Sequence, residues 1–374
     1  MKVDKTVARI TAHLHRHLSP AVLAALKAAG VADLCLYSAR SLVLEGQRGL
    51  WALLPGRDLA QDPVDTLFFL APVAQGEVLA ALVANAAGLQ FPGRGSVLVE
   101  EVDLREAHAL CLENSPDPAP LPPCAGHLHA LGGICAIVQR GQGDAVARVL
   151  LDAGVCVPTI HFGTGTGIRD KMGLLRITIP AEKEIIHAYA SNHEIDGLLE
   201  QMIETGRLDR PGSGFIYTFG VKKGLVNIRV RRGERRRAAS IEQIVTAIDR
   251  LQGGTEWRHR RTIAQTRTPL KKRYIQHLAD LVLLCDGGTG PELVQAAMAA
   301  GAGGATLAAV KHIRPPDSPL NAISPARDAC SLVVPRDSVE AIIGALGAAG
   351  AFTDRCHGQV HVKPTFKAFT YTHG

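Results

Sequence analysis

The chain has 374 residues, 47 % of them hydrophobic and 20 % charged, with a net charge of +6. That length supports two or three domains with proper cores, and the composition excludes bulk disorder. No apolar run approaches the length of a membrane span, no signal peptide is expected after Met1, and eight cysteines without paired spacing suit reduced thiols in a cytoplasmic protein.

The first stretch predicts a strand over 7–18 and a helix opened by Ser19-Pro20, a capping residue followed by a proline whose missing N–H does no harm there. His13, His15 and His17 alternate along the strand, so they share one side, with Ile10, Ala12 and Leu14 on the core side. The two helices of this stretch stop at Gly30 and Gly88, and the turn Pro92-Gly93-Arg94-Gly95 leads into a short strand. A proline-rich linker over 114–123 follows, unsuited to helix or internal strand. His108, Cys111, Cys124 and His127 flank it as two close pairs that could furnish a tetrahedral zinc site.

The middle stretch is the most informative. It reads strand over 134–138, helix over 144–153, strand over 159–162, then the run Gly163-Thr164-Gly165-Thr166-Gly167. A third strand over 174–179, a second helix over about 193–204, the turn from Thr205-Gly206-Arg207 to Gly212-Ser213-Gly214, and a last strand over 215–219 complete it. The order β-α-β-β-α-β is the split unit that folds as an antiparallel sheet with both helices on one face. Its glycines cluster in two loops whose backbone N–H groups can cradle an anion, and Arg229 and Arg231 close the unit on one strand face.

After it, Ser240-Ile241-Glu242-Gln243 opens a helix with a capping box and an apolar stripe, stopped by Gly253-Gly254. The segment 229–273 carries 14 Lys and Arg against 4 Asp and Glu. Such a concentration suits an acidic partner, a nucleotide, a membrane-proximal loop or a solvated connector. Nucleic acid is disfavoured, because only Trp257 and Tyr274 offer stacking surface there. The last stretch repeats the same punctuation, with glycines at 301 and 350 and the turn Arg355-Cys356-His357-Gly358. The matched stops divide the chain into units over 1–105, 131–234 and 279–374, with a linker at 106–130 and an appended helix and basic connector at 235–278.

The Thr-Gly-Arg turn before a Gly-x-Gly and the closing Ile228-Arg229-Val230-Arg231-Arg232-Gly233-Glu234 resemble the PII nitrogen-regulatory signalling proteins. The resemblance implies an α+β fold of three tandem ferredoxin-like (βαββαβ) units arranged as a PII-like pseudo-trimer, so that one monomeric chain supplies what three subunits supply in that family. It implies an adenine nucleotide (ATP, ADP or AMP) bound in an inter-unit cleft, with or without a small anion. Gly163, Thr164, Gly165, Thr166 and Gly167 would form one side of the site, Thr205, Gly206, Arg207, Gly212, Ser213 and Gly214 the phosphate-facing loop, and Arg229 and Arg231 the neutralising pair. Arg169, Asp170 and Lys171 would contact a protein partner, an enzyme or a membrane transporter. Departures are visible: Thr166-Gly167 stands where the family has Arg-Gln, and Phe215 where it has a lysine. No nucleophile motif, P-loop or dinucleotide fingerprint accompanies these residues, so a non-enzymatic regulator is expected. A metal-binding or structural protein with the related divalent-ion-tolerance fold is the alternative, and a slow nucleotide hydrolase using Asp209 a third.

Overall fold

Alternation builds the first strand. Ala8, Ile10, Ala12 and Leu14 point to one face and are buried, while Arg9, Thr11 and His13 point to the other. The computed structural model describes residues 2–31, 33–45, 59–108, 128–167, 182–232, 272–314 and 323–371. In chain order they form β1 (Lys2–His15), α1 (Ser19–Ala28), β2 (Leu34–Glu45), β3 (Leu59–Ala71), α2 (Gly76–Ala87) and β4 (Gly95–Ala107). Then come β5 (His129–Gln139), α3 (Gly143–Asp152), β6 (Thr159–Gly167), β7 (Glu182–Ala190), α4 (Ile195–Gly206), β8 (Gly214–Leu225) and β9 (Arg231–Arg232). The last group is β10 (Leu278–Asp286), α5 (Gly290–Ala299), β11 (Gly304–Ile313), β12 (Ala326–Pro335), α6 (Val339–Ala348) and β13 (Gln359–Thr370).

The strands pair antiparallel as β4-β1-β3-β2, β8-β5-β7-β6 and β13-β10-β12-β11, and the edges of these groups do not stay free. β2, β6 and β11 pair with one another, and so do β4, β8 and β13. All 13 strands therefore join one sheet, of which ten strands close an antiparallel barrel and three are additional. This corrects the expected fold class. Three separate ferredoxin-like units set as a pseudo-trimer give way to a single closed, mostly β barrel, with six short α-helices among the described residues, because the edges of each group find partners in another. The third strand of the middle stretch is β7, and the 174–179 segment expected to form it lies outside the described residues. The appended helix over 240–251 lies outside them too.

A carboxylate on β3, β7 or β12 holds the start of a neighbouring helix in each group. Asp65 Oδ2 accepts from Ser19 Oγ at 2.9 Å, Glu184 Oε2 from Gly141 and Gly143 N–H at 2.9 and 2.7 Å, and Asp328 Oδ2 from Gly288 and Gly290 N–H at 2.8 and 3.1 Å. Each satisfies helix-start donors and opposes the positive end of the helix dipole. The helix pairs α1/α2, α3/α4 and α5/α6 cover three apolar cores on one face of the sheet. Among the described residues, no helix is long and apolar enough to cross a membrane.

The other face turns inward around a cavity of about 100 Å³. Its walls set buried charged and polar groups among apolar and aromatic side chains. Lys363 Nζ lies 2.6 Å from Glu100 Oε1, 3.8 Å from Asp280 Oδ2 and 3.6 Å from the centre of the Phe219 ring. Asp280 also accepts from Tyr217 Oη at 3.0 Å and Ser331 Oγ at 2.8 Å. Burial opposes the charge on Glu100, but Lys363 and Arg9 prevail and hold its carboxyl below the ordinary range. His13 bonds Thr66 Oγ1 at 2.8 Å and Tyr189 Oη at 3.0 Å, and His161 stacks on His187 at 5.3 Å between ring centres. Burial pushes His13 down to about 4, against the pull of Glu100, and His161 down to about 3, with His187 and His361 also well below the usual value.

Two outcomes follow from these walls. Lys363→Ala removes the cation in contact with Glu100 and Asp280, leaves Arg9 as their remaining counter-charge, and should destabilise the chain by about 3–5 kcal/mol, read as a lowered urea midpoint. The four histidines are neutral when folded but titrate near 6.5 when unfolded, so the unfolded state binds more protons below that pH. They cost nothing above about pH 6.5, and stability is then lost as the pH falls, down to about 4 for His13 and about 3 for His161, at up to ~1.4 kcal/mol per pH unit for each histidine. Denaturation midpoints measured between pH 7.5 and 4.5 (roughly the window in which imidazole titrates) should fall steeply, and less steeply in His161→Phe.

Candidate functional site

The site forms where two distant segments cross. α2 ends at Gly88 in the left-handed conformation (φ +62°), and the chain then turns through 92–95 into β4. Gly95 has φ +145°, and a Cβ on it would sit 2.2 Å from His13 O, so the turn lies flush on the end of β1. His15 N–H donates to Arg94 O at 3.0 Å and fixes it there.

The second segment is the arm that leaves β8. Asn227 ties it to the turn: its N–H donates to Ser96 Oγ at 2.9 Å, and its Oδ1 accepts from Gly93 N–H and Arg229 N–H, both at 3.1 Å. Leu44 N–H donates to Val230 O at 2.7 Å, and β9 then runs parallel to β2. Arg229 reaches over Gly93, where a side chain would meet its Cδ at 3.3 Å. Its Nη1 lies 3.5 Å from Pro92 O.

A pocket of about 120 Å³ opens between turn and arm. Arg94, Arg229 and Arg232 line it, with His13, His15, Ser41, Asp62 and Ser96. Arg232 is engaged by the carboxylates of Asp62 and Glu45. Arg94 Nε is buried without a hydrogen-bond partner among the described residues, and neither Arg94 nor Arg229 has a carboxylate within ion-pair distance there. Burial, then the neighbouring His17, lowers the pKa of His15. The lining thus offers guanidinium and hydroxyl groups to an anion, while its carboxylate Asp62 is taken by Arg232. His13 lines this pocket and the inner cavity alike.

The residues expected to form one site are spread over three places. Gly163, Thr164, Gly165, Thr166 and Gly167 form the end of β6, paired with β7 and β11, where a Cβ on Gly163 would meet Leu307 O at 2.8 Å. These glycines admit a neighbouring strand. Thr205 and Gly206 end α4, and Arg207 caps it at φ +47°. Gly212, Ser213 and Gly214 turn into β8 and are crossed by β13, with Thr370 Oγ1 donating to Gly214 O at 2.8 Å. Arg229 belongs to the pocket beside the first turn, and Arg231 to β9. Arg169, Asp170 and Lys171 lie outside the described residues, as do Cys111, Cys124 and His127. The sequence reading missed Arg94, Ser96, Asn227, Arg232 and Asp62. A guanidinium inside a Pro-Gly-x-Gly turn was the available signal.

Among the described residues, two clusters have metal-ligand chemistry: Asp33, Cys35 and His312, and His108, Asp354 and His357. In the first, burial and then the neighbouring Asp33 push the Cys35 thiol up, against the pull of Arg327, Arg9 and Arg314, so the thiolate a metal ion would take is disfavoured. No protein-family model matches the chain, and no curated protein matches it.

Proposed function

We propose that the pocket between the 92–95 turn and the 227–232 arm binds a phosphate-bearing small molecule, and that the chain is a non-enzymatic, ligand-responsive regulator. The carrying observation is the convergence of Arg94 and Arg229, both without a carboxylate partner among the described residues, on a turn built from glycine backbone. Guanidinium groups recognise phosphate oxygens through forked, charge-assisted bonds, and glycine backbone lets an anion approach closely. A volume of about 120 Å³ suits a phosphate group or a short phosphate chain more than a whole nucleotide. The resemblance to PII proteins makes an adenine nucleotide the ligand class to test first, with its phosphates between the arginines. Control of a partner enzyme or transporter, and a monomeric, cytoplasmic protein, belong to the same reading and rest on that resemblance.

Calorimetric titration with ATP, ADP, AMP and pyrophosphate at low salt tests it. At least one phosphate ligand should bind, and Arg94→Ala with Arg229→Ala should weaken it by at least about tenfold per guanidinium, from roughly 1.5–3 kcal/mol per charged hydrogen bond. Arg207→Ala, at the separated α4 cap, should leave affinity unchanged. Equal affinity in the double variant, or an effect confined to Arg207→Ala, would reject the assignment.

A further inference from the structure

A second crossing of the same kind joins the end of β4 to the turn that follows α6. There His108 N–H donates to Gly358 O at 2.9 Å, much as the 227–229 arm is pinned to the first turn. The side chains differ entirely. One ligand atom from each of His108, Asp354 and His357 lies within 4.8 Å of the other two, and the two imidazole rings stand 5.0 Å apart, edge to face.

The groups around the cluster fix both rings. His108 Nδ1 donates to Phe352 O at 3.2 Å, while its Nε2 faces Asp354 Oδ1 at 2.8 Å, so a metal ion taking both of those atoms as ligands replaces the Nε2 proton between them. His357 Nδ1 lies 2.7 Å from Asp286 Oδ2, which places a proton on Nδ1 there too and turns Nε2 to the cluster. Asp286 is itself held by Arg327, whose Nη1 donates to Asp286 Oδ1 at 2.6 Å and whose Nη2 donates to His357 O at 2.7 Å. A histidine whose far nitrogen donates to a carboxylate or a backbone carbonyl is the arrangement that orients imidazole ligands at metal centres. Asp354, with its side chain 95 % exposed, supplies the third donor and an open approach from solvent.

We infer that His108, Asp354 and His357 form a site for a divalent transition-metal ion, zinc by preference. Two imidazoles and one carboxylate suit zinc and disfavour magnesium or calcium, which take oxygen ligands. Three protein donors leave a fourth tetrahedral position for water. Asp286 is a positioning residue that acts through His357. The site is separate from the arginine pocket and does not depend on the phosphate-binding reading.

The test uses the full chain, stripped of metal and titrated with Zn²⁺ against a chromogenic chelator, then with Co²⁺ for its absorption spectrum. One zinc per chain should bind, and Co²⁺ should give a tetrahedral spectrum without thiolate charge transfer. His357→Ala and His108→Gln should each abolish chelator-competing binding, and Asp286→Asn should weaken it about 10–100-fold. Circular dichroism identifies any variant that fails to fold, and His108→Gln, at the partly exposed strand end, keeps the test open if His357→Ala does. Cys111→Ser with Cys124→Ser, and Arg94→Ala with Arg229→Ala, should leave zinc affinity unchanged. Absence of zinc binding by the wild-type chain overturns the assignment, as does unaltered affinity in folded His108→Gln or His357→Ala, or loss in the cysteine pair alone.

Discussion

The structure depends on strand edges that find partners outside their own segment. β2, β6 and β11 meet at one set of junctions and β4, β8 and β13 at another. An unpaired edge exposes a row of backbone donors and acceptors, and closure removes that liability throughout the barrel. It also decides where side chains from distant parts of the sequence meet. The arm at 227–232 can reach the turn at 92–95 because β8 pairs with β4, and His108 can reach His357 because β4 pairs with β13.

Closure imposes an electrostatic condition on the inner face. Arg9, Glu100, Asp280 and Lys363 come from β1, β4, β10 and β13, and all face one small cavity. Buried charges persist when each has a partner and its remaining hydrogen-bonding capacity is met. Lys363 meets that condition with two carboxylates and an aromatic ring, and Asp280 with a tyrosine and a serine hydroxyl. Because these partners come from different groups of strands, the network favours the assembled barrel over any one group alone. The histidines add no charge of their own while they remain neutral.

Local features were legible in the sequence, and meetings between segments were not. Ser19-Pro20 marks the start of α1, and the alternation at Ile10, Ala12 and Leu14 identifies the face under the helices. Glycine, by contrast, has two uses that sequence does not separate. At Gly93 and Gly95 it makes a turn against an arginine and a strand end, whereas at Gly163 and Gly165 it lets β11 and the Lys183 side chain pack closely. Arg229 was recognisable as a candidate anion ligand, but its companion Arg94 is set by the β4–β8 pairing, which no local pattern encodes. The strand expected over 174–179 lies outside the described residues, while β7 forms from Glu182 to Ala190, where Ile185 and Ile186 face opposite sides of the sheet.

His13 is a party wall between two spaces. One side borders the arginine-lined pocket and the other the cavity of the inner face, and its two nitrogens are committed to Thr66 and Tyr189. The two compartments are therefore not independent rooms. An alteration at this imidazole is felt in both at once, so the two spaces belong to a single chemical unit with one shared partition.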